Sequence, residues 1–173
     1  MIRRAGVADA AAIAAIHVQA WQESYRGLIP DDYLNRLGVR ERTRSHARWL
    51  EKEGRGASFV AVDGRRPVGF VQCGPGRGAP HPGWGEVYAL YLLEEAKGLG
   101  HGRALMVAAA DHLAEQGWMP FMLWVLTANF RAFGFYRHLG GAVFAEKMER
   151  FGGSTLAESG FRFDGRIPGA LES

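Results

Sequence analysis

The chain has 173 residues, 47% of them hydrophobic and 23% charged, proportions of a folded domain with its own core rather than of a disordered chain. A formal net charge of +3 is mild and scattered, which suits an anionic ligand but leaves no footprint for nucleic acid. Cys73 is the one cysteine, so an internal disulfide and a thiol-rich metal site are both excluded.

The N-terminus lacks the apolar core of a signal peptide, and no stretch approaches the length of a membrane span. The expected setting is cytoplasmic, with no metal and no membrane partner. Ile2 to Arg4 suits a short edge strand. Asp9 suits a helix N-cap, and from Ala10 onward Ile13, Ile16, Ala20 and Trp21 share one helical face. His17 falls one place off that stripe and reads as a solvated or capping histidine. Gly27 ends the helix and Pro30 turns the chain. Asp31 or Asp32 opens a short helix, and another is predicted over Arg40 to Glu53, stopped by Gly54. The period then changes to two: Ser58 to Val62 and Val68 to Gln72 are strands about an Asp63-Gly64 hairpin turn. Cys73, at the end of the second, reads as a buried small hydrophobe. Gly74 to Gly85, dense in glycine and proline, is predicted to be a loop.

An apolar strand, Val87 to Leu93, leads into Lys97-Gly98-Leu99-Gly100-His101-Gly102-Arg103, which opens an alanine-rich helical pattern through Gln116. Three glycines at alternate positions remove the Cβ atoms that would hold a ligand off the main chain. The first helical turn adds unpartnered N–H groups and the positive end of the helix dipole. Together these form an anion seat suited to a pyrophosphate, whether of a mononucleotide, a dinucleotide or coenzyme A. No Lys-Ser or Lys-Thr pair follows Gly102, as a Walker loop needs, and the Gly-x-Gly-x-Gly spacing departs from the dinucleotide fingerprint. Taken alone, the stretch reads equally well as a plain glycine-rich turn between a strand and a helix. After the Gly117-Trp118 break come a strand, Phe121 to Leu126, and the run from Asn129 to Gly141. A closing hairpin, Ala142 to Arg150 and Ala157 to Phe163, turns around Gly152-Gly153. No repeat or linker divides the chain. One α/β domain over residues 1–173 is expected, with a mixed sheet whose fourth and fifth strands are parallel across the central helix.

Lys97-x-x-Gly100-x-Gly102, followed by Asn129-x-x-Ala132-x-x-Phe135-Tyr136-x-x-Leu139-Gly140, resembles the paired motifs of the GNAT superfamily of acetyl-coenzyme A-dependent N-acetyltransferases. The similarity runs from the Trp21–Leu34 segment to the final strand pair. Two departures stand out. Lys97 occupies a position usually held by Gln or Arg, which keeps charge but gives up a planar fork. Glu94 replaces a frequent proline and places two carboxylates, Glu94 and Glu95, near a phosphate site, where they are expected to point to solvent.

The resemblance implies a wedge between splayed fourth and fifth strands. Pantetheine would lie there against Leu90, Tyr91 and Leu92, as an added strand would. The pyrophosphate would rest on Lys97, Gly98, Leu99, Gly100, His101, Gly102 and Arg103, and the thioester near a free N–H at Ala89-Leu90. Tyr136 matches the family tyrosine that protonates the coenzyme sulfur, and Asn129 the asparagine that reaches the pantetheine arm, although asparagine there also suits a helix N-cap. Phe135 is expected to be core.

Glu86 is the candidate general base. Strand alternation sets it on the side of Tyr88 and Leu90, and it reads equally well as a solvated strand-end charge. Trp21, Tyr25 and Tyr88, with Tyr33 and Trp84, are candidates to line the acceptor pocket. Glu146, Lys147 and Glu149 read as the wet face of a strand. No cysteine or serine is set with a histidine as an activated pair, so direct attack by a primary amine in a ternary complex is expected, without a covalent enzyme intermediate. The acceptor is a small metabolite, a polyamine, an antibiotic or a peptide amine, classes the sequence treats alike. The protein is expected to act as a monomer or homodimer. A non-catalytic acyl-coenzyme A sensor and a nucleotide-binding protein are the rival readings.

Overall fold

A computed structural model of the chain describes residues 1–52, 54, 56–77 and 81–169. Among these residues the strands form one seven-stranded sheet: β1 (Ile2–Arg4), β2 (Ala57–Asp63), β3 (Arg66–Pro75), β4 (Gly85–Leu92), β5 (Phe121–Leu126), β6 (Ala142–Phe151) and β7 (Ser154–Phe163). Their spatial order is β1-β2-β3-β4-β5-β7-β6. Three helices, α1 (Ala10–Tyr25), α2 (Asp31–Asn35) and α3 (Val39–Glu51), lie between β1 and β2 in the chain. Helix α4 (His101–Glu115) joins β4 to β5, and α5 (Phe130–His138) follows β5. The α4 crossover makes β4 and β5 parallel, whereas every other pairing is antiparallel. The mixed α/β architecture read from the sequence is the one observed.

Alternation along the strands sorts the core onto two faces. On one, Val60, Val62 and Phe70 meet Ile13 and Ile16 of α1. On the other, Ala57, Ala61, Val71 and Cys73 meet Leu105, Met106, Ala109, Ala110 and Leu113, the inward stripe of α4. Cys73 is fully enclosed there, and burial pushes its thiol up to about 12, so it is the inert hydrophobe expected. No helix among the described residues is long and apolar enough to cross a membrane.

Several local expectations are corrected. β3 runs through Pro75 and β4 starts at Gly85, because main-chain pairing of Gly74 with Glu86 and Pro75 with Gly85 outlasts the apolar pattern. The last helix before the sheet stops at Glu51; its expected end at Glu53 lies outside the described residues, as do residues 78–80 of the expected loop. Asp9 does not cap α1 with its side chain. A 3-10 turn over Val7–Asp9 already precedes that helix, and the carboxylate turns back to accept from the Gly6 N–H at 2.9 Å and to pair with Arg3 at 2.8 Å.

His17 is not solvated. Its ring is buried between α1, α3 and the sheet, stacked on Tyr91 with centroids 5.0 Å apart, and its Nδ1 lies 3.0 Å from His46 Nε2. His46 Nδ1 in turn lies 3.1 Å from Gln72 Nε2. An amide nitrogen can only donate, so His46 Nδ1 accepts, and its Nε2–H donates to His17. Each link in this chain needs neutral imidazoles. Burial first, then the charge of Arg42, lowers His17 to about 3 and His46 to about 4. Since the unfolded histidines protonate near 6.5, the folded state is fully favoured above that value and loses stability as the pH falls toward 3. The loss should be roughly 2 kcal/mol per histidine between pH 7 and pH 5. Urea unfolding at the two pH values measures it, and His46→Gln should roughly halve this histidine-dependent part of the drop.

Candidate active site

The parallel pair is barely a pair. Only Gly85 with Phe121 and Glu86 with Met122 are in register among the described residues; beyond them β4 and β5 part. Each strand is held on its outer edge, β4 by β3 from Gly85 to Leu92 and β5 by β7 along all six of its residues. Between the two inner edges lies a cleft of about 860 Å³. Its walls include Val87 to Leu92 of β4, Leu123 to Leu126 of β5, and parts of the glycine loop and α5.

Partway along β4 the ladder to β3 slips. Gln72 faces Ala89 and Cys73 faces Val87, so Tyr88 is an extra, bulged residue. The bulge reverses the side-chain phase. Ala89 and Tyr91 pack toward α1, while Leu90 and Leu92 join the α4 core. Uninterrupted alternation would have set Leu90 on the side of Glu86 and Tyr88; the bulge removes it from that group. Glu86 and Tyr88 do stay together, since the Arg77 guanidinium touches both.

At the far end of β4 the chain makes a 3-10 turn over Glu94–Ala96 and enters the glycine loop. Gly98 and Gly100 have φ of +78° and +82°, the left-handed region that a side chain resists. Gly102, in the first turn of α4, is close-packed: a Cβ there would sit 3.2 Å from Phe135 Cζ. Lys97, Gly98, Gly100, Gly102 and Arg103 line the cleft. Leu99 is 65% exposed, and neither it nor His101 is part of the lining. Lys97 Nζ is held by Glu94 Oε2 at 2.6 Å and by Ser24 Oγ at 3.2 Å. Glu94 also accepts from Arg131 Nη1 at 2.6 Å, and these two cations pull its carboxyl below the usual range. Glu94 and Glu95 are both exposed to solvent, as expected, yet each is paired, Glu94 with Lys97 and Arg131 and Glu95 with Arg66. The Arg103 guanidinium donates to the Pro168 carbonyl at 2.8 Å.

Helix α5 brings Asn129 and Tyr136 to the same cleft. The Asn129 side-chain Oδ1 caps α5 by accepting from the Ala132 N–H at 3.3 Å. Tyr136 is buried against Phe135 and Phe161, and burial, then the nearby Tyr91, raises its phenol well above the ordinary value. Phe135 packs partly into the core and also borders the cleft.

The rest of the lining is acidic and aromatic. Glu86 is not a solvated strand-end charge. Its side chain is 5% exposed, with Oε2 accepting from the Arg77 N–H at 3.0 Å and Nε at 3.3 Å, and Oε1 from Nη2 at 2.9 Å. Tyr88 donates its hydroxyl to the Pro75 carbonyl, and burial, then Glu86, raises its phenol to about 12. Trp21 and Tyr25 line the cleft, and the Trp21 indole nitrogen is buried with no hydrogen-bond partner among the described residues. Tyr33 instead packs with Ile29, Leu34 and Phe151, and Trp84 stacks on His81 with centroids 4.0 Å apart, so neither lines the cleft.

Sequence reasoning missed four charged residues here. Arg77 sits in the glycine- and proline-rich stretch. Lys147 and Glu149, read as a wet strand face, line the cleft together with Glu158 of β7. Lys147 lies directly opposite Glu158 in the β6–β7 register, a pairing that a hairpin alignment about Gly152-Gly153 would have exposed. If Arg77 holds Glu86 as described, Arg77→Leu should lower stability by about 2 kcal/mol. Urea unfolding should show a lower midpoint with an unchanged slope.

Against known proteins, residues 12–141 match the profile of the acetyltransferase (GNAT) family. An uncharacterized N-acetyltransferase of Bacillus subtilis, YuaI, is 36% identical over 160 residues, covering 92% of this chain and 90% of that relative. The yncA protein of Salmonella typhimurium, solved with acetyl-CoA, superposes with a TM-score of 0.73 at 20% identity, covering 100% of this chain and 98% of that one. PaiA N-acetyltransferase of Thermoplasma acidophilum, solved with coenzyme A, gives a TM-score of 0.71 at 21% identity, covering 92% and 96%. At that identity the two structures speak for the fold. The family profile and the Bacillus relative establish that this chain belongs to the GNAT acetyltransferase family.

Proposed function

We propose that this GNAT acetyltransferase moves an acetyl group from acetyl-coenzyme A to the primary amine of a small molecule or peptide, by direct attack in a ternary complex. The observation that carries this reading is the parting of β4 and β5 around a cleft that gathers the glycine loop, the free β4 edge, Asn129 and Tyr136.

The residues present fit the coenzyme. The backbone of Gly98 to Arg103 at the start of α4 would hold the pyrophosphate, and a Cβ at Gly102 would crowd Phe135. Lys97, Arg103 and Arg131 add positive charge beside it, Lys97 as a point charge fixed by Glu94 rather than as a fork. Leu90 to Leu92 offer an unpaired strand edge for the extended pantetheine arm, with Asn129 at its side. When bound, the coenzyme supplies an acetyl group already activated as a thioester.

The rest is for the chain's own groups to do. The bulge at Tyr88 interrupts the ladder where the cleft opens, which supports an N–H near Ala89-Leu90 as the donor to the charge that grows on the carbonyl oxygen. The Tyr136 phenol, its ionisation disfavoured by burial, holds a proton at neutral pH and can deliver it to the departing sulfur. The aromatic and carboxylate residues of the lining suit an amine that arrives as an ammonium ion.

Thiol release from acetyl-coenzyme A, screened against a panel of primary amines, tests the reading. Turnover with at least one amine is expected. Tyr136→Phe should lower kcat by about a hundredfold with coenzyme binding by calorimetry unchanged. Coenzyme binding without turnover in either form would mark a sensor instead.

A further inference from the structure

Resting on the acetyl-transfer reading, we infer that Glu158, rather than Glu86, takes the proton from the acceptor ammonium. Both carboxylates line the cleft that holds Tyr136, but they differ in what their oxygens are doing. Glu86 spends both oxygens on Arg77, through one main-chain and two side-chain donors between 2.9 and 3.3 Å. A carboxylate so engaged is a poor base, because each proton it accepted would displace a charge-assisted hydrogen bond. Glu158 has a looser arrangement. Its ion partner is Lys147 at 3.4 Å, and that lysine is shared with Glu149 at the same 3.4 Å and lies 4.5 Å from the centre of the Trp124 ring. The Glu158 side chain is 15% exposed, half-enclosed yet open to the cleft.

Position supports the assignment. Glu158 faces Leu126 across the β5–β7 register, at the end of β5 that has moved away from β4. The titratable groups around it are Lys147 and Glu149 on β6, Tyr25 on α1, Tyr91 on β4 and, through Tyr25, Tyr136 on α5. The tyrosines keep their protons: burial raises Tyr25 and Tyr91, and the charge of Glu158 raises them further. Burial also raises the Glu158 carboxyl, against the pull of Lys147 and with the push of Glu149, and so makes it a better proton acceptor.

The step balances. The substrate R–NH3⁺ gives one proton to the Glu158 carboxylate and becomes R–NH2. The amine nitrogen forms the C–N bond to the acetyl carbon, and the C–S bond breaks as the adduct collapses. Tyr136 gives its proton to the sulfur and regains one from the nitrogen, leaving amide, free thiol and a protonated Glu158 that releases its proton to solvent.

The test compares Glu158→Gln and Glu86→Gln, with thermal unfolding and coenzyme calorimetry as controls. Glu158→Gln should lower kcat for the amine by about a hundredfold with the KM for acetyl-coenzyme A unchanged. Its rate should then climb about tenfold per pH unit up to the pKa of the amine, because solvent alone must deprotonate the substrate. In ¹³C NMR of glutamate-labelled protein, one carboxyl titrating above the ordinary range should vanish in this variant. If Glu158→Gln does not fold, Glu158→Asp should fold, lose rate and keep the acid limb of the profile. Wild-type kcat and pH profile in Glu158→Gln, or a change confined to the KM for the amine, overturns the assignment. Wild-type protein that releases no thiol with any amine overturns the acetyl-transfer reading, and this inference with it.

Discussion

Everything at the cleft depends on two parallel strands that stop pairing after two residues while their outer edges stay fully bonded. A main-chain N–H or C=O removed from water must find a partner, so a gap inside a sheet is stable only where solvent or a ligand can reach it. The ladders to β3 and β7 fix each strand from outside and keep the inner edges from closing on one another. Helix α4 supports the arrangement: its apolar stripe is anchored beneath β2 and β3, and its first turn presents the glycine loop at the mouth of the gap. What the gap leaves open is strand edge, and backbone tolerates wide variation in side chains.

The bulge at Tyr88 adds a second constraint. By shifting the phase of β4 midway, it lets one strand serve two purposes, giving Glu86 and Tyr88 to the cleft and then Leu90 and Leu92 to the α4 core. Charge is divided along the lining: Lys97, Arg103 and Arg131 gather at the glycine loop, Glu86 sits where β4 and β5 still pair, and Glu158 lies opposite Leu126 at the parted end of β5.

Much of this was legible in the sequence, for identifiable reasons. Phe121 to Leu126 is apolar throughout and buried at every residue but Trp124, so apolar continuity and strand coincide. The glycine loop betrays itself through local backbone chemistry. What escaped were features whose cause lies elsewhere in the chain. His17 reads as surface until His46, 29 residues away, is packed against it. Lys147 and Glu149 alternate as an exposed strand would, and their turn toward the cleft follows from pairing with β7. Leu90 changes sides because of an irregular register, which no alternation of residue types records.

Two of the five tryptophans, Trp21 and Trp124, stand in the wall of the cleft, and Lys147 rests against the face of the second. Indole emission responds to a nearby charge and to the loss of water. Filling this space, or drawing the ammonium group off its ring, would therefore change the fluorescence of the protein itself. The molecule carries a built-in optical reporter of occupancy, one that needs no label and is set in the cleft wall itself.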